Sequence, residues 1–143
     1  MTSMMSAKDL RQIADDIETK RMQEILERKK KTEQHERELH DSFMKFEEIP
    51  PDALDRLKRA VRNAAEQEKS EILVLRFPSD FCLDSGRAIN NFDDNWPATL
   101  QGKAKIAMEF YQEHLKPLGY TMRAEILSFP NGMPGDVGLY LCW

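Results

Sequence analysis

The apolar positions of this chain change period several times, and each change marks an element. Leu10, Ile13 and Ile17 recur at helical spacing. Met22, Ile25 and Leu26 continue that stripe, slightly rotated. Residues 27–38, ERKKKTEQHERE, hold no large apolar side chain, and Leu39, Phe43, Met44, Phe46 and Ile49 then restore the stripe. Ser6 with Asp9 forms a capping box, and neither Gly nor Pro intervenes before Pro50. The pattern predicts one helix from Ala7 of about 40 residues, roughly 60 Å long. Residues 1–5 are expected to be disordered. An amphipathic helix has to bury its stripe somewhere. Residues 10–26 therefore read as a self-association or partner-binding seam, coiled-coil-like, with Leu10, Ile13, Ile17 and Ile25 as its contacts. The competing readings are a solvated arm held by pairs such as Glu27–Lys31 and Glu33–Arg37, and a hairpin broken near Lys29–Lys31.

Pro50-Pro51 starts a second helix over residues 52–67, with Leu54, Leu57, Val61, Ala64 and Ala65 on its core face. Arg56, Arg59 and Arg62 form its solvated face. Residues 71–77, EILVLRF, then hold four apolar residues in an unbroken run that Pro78 stops. Such a run, too short for a buried helix, predicts a strand covered on both faces.

Residues 78–96, PSDFCLDSGRAINNFDDNW, form the longest irregular stretch, with Asp84 placed to cap a short turn over residues 87–90. A helix from Pro97 or Thr99 to about Lys116 carries Leu100, Ala104, Ala107, Tyr111 and Leu115 on one face. His114 in its last turn reads as structural. Residues 120–129 and 137–143 alternate as strands and are joined by PNGMPGD, which predicts an antiparallel hairpin. LRFPS at residues 75–79 is echoed by LSFPN at residues 127–131, which raises a doubled helix-strand unit beside chance similarity.

The expected fold class is α+β or α/β. A long helical arm, residues 1–49, precedes a compact α-β-α-β-β domain, residues 50–143, with a three-stranded mixed sheet. If the strands at 71–77 and 120–129 pair, they run parallel with a right-handed crossover, and their following loops share one edge. Open α/β sheets bind ligands at that edge. The candidates there are Asp84, Arg87, Asn90, Asn91 and Trp96 from the first loop, and Asn131 and Asp136 from the second.

Charge narrows the function classes. Of 143 residues 32% are charged, and the net charge of −4 is evenly spread. Residues 1–49 hold 10 bases against 12 acids, and residues 50–143 hold 11 against 13. Neither half offers the basic field that nucleic-acid binding requires. Acids as frequent as bases along the first helix also disfavour a membrane surface. No apolar run is long enough to span a membrane, and the N-terminus lacks a secretory apolar core. Cys82 and Cys142 make neither a disulfide framework nor a zinc pattern, which points to a reducing, cytoplasmic setting.

Chemistry at the loop edge is thin. Cys82 lacks a histidine base in either loop. Asp80, Asp84, Asp93 and Asp94 do not follow a calcium-loop spacing. PNGMPGD lacks the glycine spacing and lysine of a phosphate loop. No cofactor or metal site is expected. The sequence reads as a non-enzymatic adaptor or regulatory module that associates through its first helix and presents the loop edge to a protein partner. The alternative is a binder of a small polar or anionic ligand, or a minor enzyme, using Arg87, the amides near Gly86 and Trp96 at that edge.

Overall fold

A computed structural model describes residues 3–143; Met1 and Thr2, part of the stretch expected to be disordered, lie outside the described residues, and residues 3–6 carry no regular structure. The chain divides into two units, Met1–Asp41 and Ser42–Trp143.

The first unit is most of helix α1 (Ala7–Met44). The capping box forms in both directions. The Ser6 hydroxyl accepts from the Asp9 amide at 3.1 Å, and the Asp9 carboxylate accepts from the Ser6 amide at 3.4 Å. No residue of α1 is buried. The helix stops at Met44, earlier than Pro50 alone would require, because Phe43, Phe46 and Ile49 pack within the second unit.

The second unit is α+β. Its elements are α2 (Ala53–Glu66), β1 (Glu71–Pro78), α3 (Arg87–Asn90), α4 (Gly102–Phe110), β2 (Thr121–Ile126) and β3 (Asp136–Cys142). The sheet order is β1-β3-β2, and both pairings are antiparallel. The sheet is therefore antiparallel and not mixed. β1 and β2 do run in the same direction, but β3 lies between them, so no direct parallel pairing forms.

The centre of the core is β3. Val137, Leu139 and Leu141 have no exposed surface. β1 is an edge strand, which corrects the expectation that it is covered on both faces; Leu73 is 46% exposed. The physical reason is a β-bulge. Leu73 pairs with Tyr140 and Leu75 with Leu139, so Val74 is the extra residue. A bulge breaks the alternation of sides. Ile72, Val74, Leu75 and Phe77 all pack on the core, and the apolar run in the sequence records this shift.

The fourth helical stretch is also irregular. A 3-10 turn (Trp96–Thr99) precedes α4, a π-helical turn (Tyr111–Leu115) follows it, and a second 3-10 turn (Lys116–Leu118) closes it. The single helix expected from Pro97 or Thr99 is interrupted at Gly102, whose φ is +54°. β2 ends at Ile126 and not at Phe129. The internal echo is not a structural repeat: Phe77 is 3% exposed, whereas Phe129 is 54% exposed.

Candidate functional site

The loops after β1 and β2 do meet at one edge. Phe77 and Ile126 both pair with Val137, so the two strands end level. Ser79, only 2% exposed, ties the loops together. Its amide donates to the Gly135 carbonyl at 2.9 Å, and its hydroxyl donates to the Pro134 carbonyl at 2.9 Å. Gly86, at φ +82°, passes so close to Ser79 that an added Cβ would lie 2.9 Å from the serine Cβ. Only glycine combines that backbone with that approach.

The side chains singled out at this edge serve different ends. Asp84 accepts from the amides of Gly86 at 3.0 Å and Ala88 at 2.8 Å, capping α3 as its position predicts. Arg87, Asn90 and Asn91 are exposed. Trp96 is half-buried and packs on the core. Asn131 is exposed in the left-handed region at φ +54°. Asp136 pairs with Arg76 across β1 and β3 at 2.8 Å. The edge thus brings Asp84, Arg87, Asn90 and Asn91 together around α3, with Asn131 and Asp136 on the neighbouring turn.

Cys82 is buried at the base of the first loop. Burial, reinforced by the negative charge of Asp84 and partly offset by Thr99, pushes its thiol up to about 11. A thiol held protonated is a poor nucleophile. Among the described residues, no three His, Cys, Asp or Glu side chains converge to hold a metal ion. His114 stacks on Phe110, with ring centroids 4.8 Å apart.

The face of the sheet away from the core carries a charged cluster. Arg123 lies between Glu71, at 2.9 Å, and Glu125, and its guanidinium sits 4.3 Å from the centre of the Tyr140 ring. The hydrogen bond to Glu71 helps hold Arg123 more basic than usual. Burial beside Glu125 raises the Tyr140 phenol.

A cavity of about 330 Å³ lies away from both loops, between the core face of the sheet, α2 and α4. Val74 and Leu75 from the bulge form one wall, and Leu115 from the π-helical turn forms another. Arg56 and Lys103 are the charged residues of its lining. The sequence reading missed it because its walls come from six separate segments. The one signal available was the unbroken run at residues 72–75, which marks the bulge.

The exposed stripe of α1 is the other candidate surface. Leu10, Ile13, Ile17 and Ile25 are 44–57% exposed. No helix among the described residues is long and apolar enough to cross a membrane. In comparisons with known proteins, no family model matches the chain, and no curated protein or solved structure matches it.

Proposed function

We propose that this chain is a non-enzymatic interaction module that associates with a second copy of itself through α1 and offers the loop edge of its α+β unit to a protein partner. The observation that carries this reading is the exposure of Leu10, Ile13, Ile17 and Ile25 on a helix with no buried residue. Apolar side chains held in water at helical spacing gain free energy when a like surface covers them. The choice of a second copy rests on charge. Residues 10–26 hold three bases and four acids, so two copies meet without strong repulsion. At the loop edge, Asp84 is committed to backbone amides, whereas Arg87, Asn90 and Asn91 stand free of the core, as partner contacts would. A cytoplasmic setting goes with this reading, since Cys82 and Cys142 are both free thiols.

The test is light scattering on the full-length chain across micromolar to submillimolar concentration. The expected result is a mass at a multiple of 16.7 kDa. Leu10→Ser, Ile13→Ser and Ile17→Ser combined should return it to one chain. A wild-type mass of one chain at every concentration would refute the self-association.

A further inference from the structure

Two irregularities in otherwise regular elements border the same cavity. The bulge at Val74 turns both Val74 and Leu75 onto the core side of an edge strand. The π-helical turn at Tyr111–Leu115 places Leu115 against the same space. Bulges and π turns recur beside binding sites because they re-aim single side chains without ending the element. The pocket between the sheet and α4 measures about 330 Å³, within the range of small-molecule sites.

The lining sets the chemistry of the occupant. Phe46, Ile49, Leu57, Phe110 and Met122 make the space apolar, and an apolar pocket favours a ligand that removes its surface from water. Two cations border it. Arg56 is already paired with Asp52 at 3.2 Å. Lys103 is exposed at the rim and has no carboxylate partner among the described residues; its ammonium stands 5.4 Å from the centre of the Phe46 ring. An unpaired positive charge at the rim of an apolar pocket matches a ligand with a hydrocarbon body inside and one anionic end at the mouth.

We propose that this cavity binds a medium-chain carboxylate, with the chain against Val74, Leu75 and Leu115 and the carboxylate paired with Lys103. The hydrocarbon supplies most of the affinity through area removed from water. Lys103 supplies orientation and selects anionic over neutral or cationic ends. This site is separate from α1 and from the loop edge, so it stands or falls independently of the self-association.

The experiment is calorimetric titration of the full-length chain with monomeric decanoate, below the concentration at which it forms micelles. Saturable binding of one decanoate per chain is expected, with a raised melting temperature. Lys103→Met keeps the aliphatic stem and should weaken decanoate about fivefold. It should leave decanol, which carries no charge, unchanged. Ala107→Phe and Ala53→Phe fill the cavity from α4 and from α2, and either one that keeps the wild-type circular dichroism should abolish binding. Decyltrimethylammonium binding as tightly as decanoate would overturn the proposal. So would binding that survives a folded cavity-filling variant. Uptake onto phosphatidylcholine vesicles without saturable binding of monomeric decanoate would overturn it as well.

Discussion

Gly102 lies directly against the backbone of Phe43. A Cβ added at Gly102 would sit 2.7 Å from the Met44 Cα and 2.9 Å from the Phe43 carbonyl carbon, and it would meet the Phe43 carbonyl oxygen. The φ of Gly102 is +54°, a conformation that L side chains rarely adopt. Both facts act against any other residue here. Gly102→Ala should destabilise the second unit by about 2 kcal/mol or more. Urea denaturation should show a lower midpoint with an unchanged slope.

Phe43 itself tests where the compact unit begins. Its ring lies 5.2 Å from that of Phe77 and 4.9 Å from that of Phe81. Removing residues 1–41 should leave a cooperative thermal transition. Removing residues 1–49 takes away Phe43, Phe46 and Ile49, and should lower the melting temperature sharply or abolish the transition. Phe43→Ala alone should cost about 2 kcal/mol, because the side chain is half-buried and not fully enclosed.

Cys82 gives a pH dependence with a definite sign. Its thiol is raised from 9.0 to about 11, chiefly by burial and then by Asp84. The folded chain holds the proton longer than the unfolded chain. The associated stability is therefore complete below pH 9 and is lost as pH rises from about 9 through 11. Melting temperatures of the wild type should fall faster over that window than those of Cys82→Ala. The native thiol should also resist alkylation at pH 8 until denaturant is added.

Asp84 should separate scaffold from surface at the loop edge. Its two amide hydrogen bonds hold the start of α3, and Asp84→Ala should cost about 1 kcal/mol. Arg87→Ala and Asn91→Ala should change stability by less than about 0.5 kcal/mol, since both side chains are exposed. Chemical denaturation of the three variants checks this ordering. Asp84→Ala should in addition bring the Cys82 thiol down, because it removes a negative neighbour.

Local chemistry was legible in the sequence where it acts over a few residues. Ser6 and Asp9 cap α1, Asp84 caps α3, and the alternating strands at the C-terminal end pair as a hairpin. What the sequence reading misplaced depends on partners far along the chain. The run at residues 72–75 looks like a strand covered on both faces, but its apolarity reflects a bulge opposite Leu139. The placement of β3 between β1 and β2 could not be read from alternation, which reports the faces of a strand and not its neighbours. Gly102 was passed over because a helical stripe runs on both sides of it. The loop edge was located by the direction of two strands, and their direction held even though their pairing did not.

The position of β3 sets an order on synthesis. β1 and β2 leave the ribosome first, and neither has another strand to pair with until residues 136–142 follow. β1 is made more than 50 residues before its partner, and its ladder matches Glu71 to Cys142. Long-range pairing of this kind forms late and slowly. Until then the apolar residues of β1, and later those of β2, lack their sheet partner, and β3 joins both strands into a sheet in one step. The nascent chain is thus most vulnerable to aggregation just before β3 emerges.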